Sequence, residues 1–388
     1  MKKNISLLLF SLIFGMFSMG ANAVTIIIPM RLIDQGLSYN KIGLAMSMMA
    51  VGMMVIKPII GRHIDIIGAK IYVIAALLVG TIDLYIMSMN SSPTIYILLN
   101  CIFGFCRGIF TSITSFYTVA VSDKRHLGKS LGNFVGISTL FTCFGGILAG
   151  VLYPFFSGTF ALGIIATMYL ISIFIAVRWL PDTRMGYSLT KDKYSFNYLF
   201  KTMSPQVYIF GLIVFLQQFT TGPLWNTFVP LHFYTVFAMS STLVGILMSL
   251  DELIGSPTSF LAGKILDKVS DRKFLSLSYF LAAGCSFVLI LAQNPVCFMV
   301  CFLTCGIFVT CTQIVIPKAA SGFMRDTNRG FEFAIISSCG GLGEWLGNII
   351  LGNLMKSFSV NYIVWIFFVS YMILSILSIF TLRKKYEL

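Results

Sequence analysis

Four ionisable residues lie deep inside long apolar runs of the chain: Arg107, Asp251, Glu252 and Glu344. A charge at the middle of a membrane helix costs about 2.5–3.5 kcal/mol on insertion scales, so such residues mark functional sites by default. Arginine stays charged at any relevant pH. It can bind an anionic group of a substrate, or a carboxylate when no substrate is present. Buried Asp and Glu can take up and release a proton. If substrate and proton favour opposite states of one carboxylate, their movements are coupled. A structural salt bridge between Arg107 and one acid is the bland alternative, and it leaves the other carboxylates without a purpose.

The elements that must hold these groups are membrane helices. The chain has 388 residues, of which 57% are hydrophobic and only 11% charged, with a mean hydropathy of +0.90. Soluble domains carry roughly a quarter charged residues, so a soluble enzyme is excluded. An outer-membrane barrel is excluded too, because its strands alternate polar and apolar and these runs are apolar all round. About 20 apolar residues make one span. The runs predict twelve, over roughly 5–30, 42–61, 70–90, 93–119, 131–153, 159–180, 206–232, 241–262, 273–292, 295–317, 331–355 and 360–382. The stretch 181–205 divides them into a six-helix bundle over 1–180 and a second over 206–388, with a cytoplasmic linker between.

Basic residues set the orientation. With the N-terminus in the cytoplasm, 22 Lys and Arg fall on the cytoplasmic side and 3 on the other, leaving Lys57 and Arg107 within spans. That split satisfies the positive-inside rule with both termini inside. It also accounts for the net charge of +13, so the basicity calls for anionic lipid rather than nucleic acid. Lys2, Lys3 and Ala21-Asn22-Ala23 resemble a signal peptide with its cleavage site. The apolar run continues through Ile28, however, and cleavage would remove one half's first helix. The nine cysteines all fall within spans, so no disulfide framework is expected. Cys297, Cys301 and Cys305 share one helix face, as a soft-metal site or, more plainly, as small packing residues; no metal is expected.

The two halves repeat. Gly61-Arg-His-Ile-Asp65-Ile-Ile-Gly68-Ala-Lys70 is echoed by Gly263-Lys-Ile-Leu-Asp267-Lys-Val-Ser-Asp-Arg272, and the two aspartates are 202 residues apart. A similar shift sets Asn22…Pro29 against Asn226…Pro230. Parallel six-helix repeats are a transporter architecture with the substrate site at the repeat interface. The first loop resembles the signature loop of the major facilitator superfamily, and the second resembles its degenerate copy. The resemblance implies an all-α fold of two six-helix bundles. It also implies a gate in which Gly61, Gly68 and Gly263 allow close approach while Asp65, Lys70, Asp267 and Arg272 latch and release.

Three further stretches bear on that resemblance. Gly132, Gly145-Gly146 and Gly150 look like the helix-five glycine motif of proton-driven exporters, without its proline; small residues at a helix contact also fit. The family's fourth helix often has Arg four residues before Gly. Here Asn100 precedes Gly104, and Arg107 lies about two turns beyond Asn100 on the same face. Finally, Ala21-Asn22-Ala23…Pro29-Met30-Arg31…Gly36 looks like the first helix of bacterial metallophore exporters of the staphylopine type.

The candidate substrate and proton site therefore comprises Arg107, Asp251, Glu252 and Glu344, with Asn22, Asn100, Gln217, Gln218, Trp225, Asn226 and Gln313 as polar and aromatic lining. Gln217 and Gln218 cannot both face a cavity, because adjacent helical residues are 100° apart. Asp251 and Glu252 stay equivalent candidates. The Glu252 stripe (Gly245, Ser249, Ser256, Ser259) could be wet or a packing seam. The Glu344 stripe (Ser337, Gly341, Asn348, Gly352) fits a cavity lining. Asp83 falls on a peripheral helix. No P-loop, metal-spaced His pair or nucleophile elbow appears, so neither an ATP-driven pump nor an enzyme is expected, and no cofactor. The expectation is a monomeric, proton-coupled transporter in a bacterial inner membrane. Its partners would be protons, lipid and a small amphipathic or zwitterionic compound, a drug or metallophore, with export favoured over import of a metallophore, amino-acid-like compound or sugar.

Overall fold

The structure, a computed structural model, describes residues 2–89, 92–121, 127–180, 200–201, 203–292, 294–324, 329–357 and 360–381. No water in a bilayer core can satisfy backbone N–H and C=O groups, so long apolar runs fold as helices. The first half forms α1 (Lys2–Asp34), α2 (Tyr39–Ile67), α3 (Ala69–Met89), α4 (Pro93–Val121) and α5 (Leu127–Trp179). The second half begins with α6 (Gln206–Pro223), a π-helical turn (Leu224–Phe228) and α7 (Val229–Thr235), which together make one span. It continues with α8 (Ser241–Leu266), α9 (Asp271–Leu291), α10 (Pro295–Ser321), α11 (Arg329–Ser357) and α12 (Val360–Thr381).

At 53 residues α5 is far longer than a bilayer needs, and it holds two spans, Leu127–Phe155 and Phe160–Trp179. It doubles back. Residues 145 and 165 would be about 30 Å apart in a straight helix, yet both touch one turn of α1. Gly145 lies against the Met19 carbonyl, and Gly20 lies against Ile165 and Tyr169. Helix ends follow local chemistry. Gly68, at φ 84°, ends α2. The Ser240 and Asn294 side chains accept from the backbone N–H of Leu243 (3.3 Å) and Val296 (2.8 Å), capping α8 and α10.

Among the described residues, eleven segments are long and apolar enough to cross a membrane. The twelfth, α8, has the length at 26 residues, but Asp251 and Glu252 at its centre dilute its hydropathy. The twelve expected spans thus form twelve helical passes, and the protein is a multi-pass membrane protein. Phe155, Leu291 and Phe380 point outward from the bundle, as lipid contact requires.

Two seams join the halves: α2 packs along α11, and α5 packs along α8. A shift of six spans turns the second span into the eighth and the eleventh into the fifth, so each seam is the repeat image of the other. Small residues let the backbones meet. A Cβ on Gly132 would fall 2.5 Å from the Ser259 carbonyl oxygen, and one on Gly146 would fall 2.7 Å from that of Gly245.

Candidate functional site

Between the seams lies a cavity of about 430 Å³ lined from both halves. Lys57 of α2 and Arg107 of α4 form part of one wall. Asp251 and Glu252 of α8, Glu344 of α11, and Gln218, Trp225, Asn226 and Gln313 form part of the other. Among the described residues, none of these five charged side chains pairs with another within 4.0 Å; the ion pairs there join Lys318 to Asp267 and Asp271.

Two of the three acids are held by neutral donors. The Trp225 indole Nε1–H donates to Asp251 Oδ2 at 3.0 Å, and Asn226 Nδ2 donates to Glu344 Oε1 at 3.3 Å. Trp225 and Asn226 are sequence neighbours that both reach the cavity. They lie in the π-helical turn, a distortion that recurs at functional sites. Trp225 is wedged between Phe302 and Phe367, with ring centroids at 4.8 and 5.6 Å. Both acids rest against glycines. A Cβ on Gly306 would collide with Asp251 Oδ1, and one on Gly222 would come within 2.7 Å of Glu344 Cγ. Sequence reasoning missed both glycines, because their role is the space they leave for a distant residue.

It also missed Lys57 as a site residue. Lys57 is buried, and its Nζ donates to the Ser337 carbonyl of α11 at 3.1 Å, crossing between the halves. The signal was present: the insertion cost that singled out Arg107 applies equally to a lysine within a span. Arg107 itself makes a contact of 3.4 Å to the Met49 sulfur, a weak acceptor.

Three of the expected lining residues sit outside the cavity. Asn22 donates to the Thr142 carbonyl at 3.0 Å and ties α1 to α5. Asn100 is fully buried and donates to the Ala45 carbonyl of α2 at 3.3 Å, so the stripe it shares with Arg107 is partly a helix contact. Gln217 is locked in a packed network: it donates to Thr312 Oγ1 at 2.9 Å and accepts from Tyr279 OH at 2.7 Å. Gln218 is the one of the pair that faces the cavity. The small stripe beside Glu252 is the α5–α8 seam: Ser256 Oγ donates to the Gly136 carbonyl at 2.8 Å, and Gly245 meets Gly146 and Gly150. The Glu344 stripe is split. Ser337, Gly341 and Glu344 line the cavity, whereas Asn348 and Gly352 pack against Gly43 of α2.

On the face carrying the two repeated loops, Asp267 crosses between halves. Its Oδ1 and Oδ2 accept from the backbone N–H of Gly128 (2.9 Å) and Lys129 (3.0 Å), capping the start of α5. Lys318 Nζ stands 3.8 Å from Asp267 and 3.1 Å from Asp271. Gly263 meets Gly128 and Gly132 there. In the first loop Gly61 is buried and Lys70 donates to the Val177 carbonyl at 2.9 Å; the Asp65 side chain lies outside the described residues. Arg272 is half-exposed near the start of α9. On the opposite face, Tyr153 of α5 (2.5 Å) and Tyr234 of α7 (3.2 Å) donate to Asp34. Cys305 Sγ contacts the Ala282 carbonyl at 3.5 Å, and no group of three or more His, Cys, Asp or Glu among the described residues could hold a metal ion.

The family model described as Major Facilitator Superfamily matches residues 9–316 and, again, 207–387. The chain belongs to the Major Facilitator Superfamily. Members of the superfamily are transporters rather than enzymes. Multidrug resistance protein 2 of Bacillus subtilis (strain 168) is 22% identical over 370 residues, covering 93% of this chain and 91% of that protein. An uncharacterized transporter of Buchnera aphidicola subsp. Schizaphis graminum is 23% identical over 239 residues, 61% of this chain and 57% of its own length. Two solved structures share the superfamily fold. The proton:xylose symporter XylE has a TM-score of 0.77 at 13% identity, covering 96% of this chain and 95% of that one. The human organic anion transporter MFSD10 has a TM-score of 0.74 at 14% identity, covering 98% and 99%.

Proposed function

We propose that this superfamily member is a proton-coupled secondary transporter that exports small amphipathic or zwitterionic compounds by alternating access. The observation that carries the reading is the interface cavity, where Asp251, Glu252 and Glu344 stand without a cationic partner within ion-pair distance. Asp251 and Glu344, held by an indole and an amide rather than by a salt bridge, are free to exchange protons with the cavity. The units 1–180 and 206–388 would tip about this site, with Asp267 latching one face and Asp34 the other. We place the Asp267 face in the cytoplasm on the distribution of basic residues, in a bacterial inner membrane, with the chain working as a monomer. Export is supported by the name of the Bacillus relative and by the glycine seam of α5. Drugs and metallophores fit a mixed polar and apolar cavity with charges of both signs, and the first-helix likeness to metallophore exporters points the same way.

The test is dye flux in inverted vesicles with an imposed pH gradient. Rhodamine 110, a zwitterion, and its cationic methyl ester rhodamine 123 are the probes; at least one should accumulate when the interior is acidic, and Glu344→Gln should lower that uptake at least tenfold while the protein stays inserted. Flux in the reverse sense would make the protein an importer. Flux indifferent to the gradient and to Glu344→Gln would refute proton coupling.

A further inference from the structure

The charges of the cavity are sorted by half. Both cations, Lys57 and Arg107, come from the first half, and all three acids come from the second. We propose that Lys57 and Arg107 form an anion subsite and that the transported compounds are dipolar. An acidic group lies on the first-half wall, and a basic group turns toward Asp251, Glu252 and Glu344. This rests on the exporter reading above and narrows its substrate class.

Hydrogen-bonding capacity supports the assignment. The Lys57 ammonium has three N–H donors, and one is committed to the Ser337 carbonyl. The Arg107 guanidinium has five, and its contact is to a thioether sulfur. Five hydroxyls line this wall, and four of them are already committed. Thr111, Thr114, Ser138 and Thr142 each donate to a carbonyl of their own helix at 2.7–3.1 Å. With Thr139 as the one uncommitted hydroxyl, recognition of an anion on this wall falls chiefly to the two cations, through the charge-assisted bonds that carboxylates and phosphates make best. A compound bearing only positive charge would meet the acids but be repelled by Lys57 and Arg107 within the same cavity. A compound bearing only negative charge meets the reverse problem. A dipolar compound satisfies both walls, and binding it draws the two halves together.

Two dyes isolate the carboxylate. Rhodamine 110 carries a cationic xanthylium and a free carboxylate; rhodamine 123 is its methyl ester. Fluorescence anisotropy with the purified full chain should show rhodamine 110 binding about tenfold or more tighter than the ester. In Lys57→Gln/Arg107→Gln that preference should vanish, with ester affinity kept or improved. Should the double variant fail to fold, Lys57→Gln alone should reduce the preference at least threefold in protein that stays folded and monodisperse. Equal or tighter binding of the ester to the unaltered protein, or a preference that survives the substitutions, overturns the subsite. Gradient-driven export of the ester without a preference for the acid would sink the subsite and leave the exporter reading standing. Binding of neither dye would refute both.

Discussion

Removing the Asp267 carboxylate should open the basic face of the protein. This side chain accepts two backbone N–H bonds at 2.9 and 3.0 Å from the first turn of α5, in the other half of the molecule. Losing a cap costs about 0.5–2 kcal/mol, and a negative charge at a helix N-terminus adds about 0.3–1 kcal/mol. Asp267→Ala should thus weaken this latch by about 2 kcal/mol, which shifts the closed-to-open ratio on that face about thirtyfold. Lys129 and Lys264 are both exposed there, one on α5 and one on α8. Spin labels at these two positions, attached through reactive unnatural residues because the chain has nine cysteines, report the separation by pulsed dipolar spectroscopy. Asp267→Ala should move most of the distance distribution to longer values. Asp267→Asn, which keeps one acceptor oxygen, should move it part of the way. Asp271→Ala should leave it alone, because Asp271 pairs with Lys318 in its own half. A wild-type distribution in Asp267→Ala would refute the reasoning.

Gly306→Ala should act like a substitution of Asp251 itself, because the added Cβ would collide with the Asp251 carboxylate. Overpacking costs about 1–3 kcal/mol, so transport should fall about tenfold or more, while Gly284→Ala, where nothing lies within 4 Å, should transport normally. Tyr279→Phe leaves Gln217 Oε1 without its donor in a buried network. It should cost about 1–3 kcal/mol, seen as a lower melting temperature in detergent, with dye affinity unchanged because Gln217 is outside the cavity. Tyr234→Phe removes one of the two phenols that donate to Asp34 and should loosen the opposite face by about 1 kcal/mol, seen as a longer label separation there.

The number of helices and the charges buried among them were legible because membrane insertion writes them into local composition. Twenty apolar residues make a span wherever they fall, and a charge among them is conspicuous. What periodicity could not supply was the identity of each face's neighbour. The stripes of Glu252 and Glu344 are similar in sequence, small and polar, yet one is wholly a seam and the other is half cavity. Asn100 shares a face with Arg107 but meets the α2 backbone first. Gly222 and Gly306 matter only through Glu344 and Asp251, which are far away along the chain. The sorting of cations and acids between halves became visible once Lys57 was found in the same cavity as Arg107.

The central claim is that substrate and protons compete for the carboxylates of one interface cavity. Proton release on binding tests it most directly: the purified protein in weakly buffered detergent, rhodamine 110 or 123 added, and the pH followed with an indicator. Protons should be released in proportion to dye bound, and the release should disappear in Asp251→Asn/Glu252→Gln/Glu344→Gln. Saturating binding with no release, or equal release from the triple variant, would contradict the account.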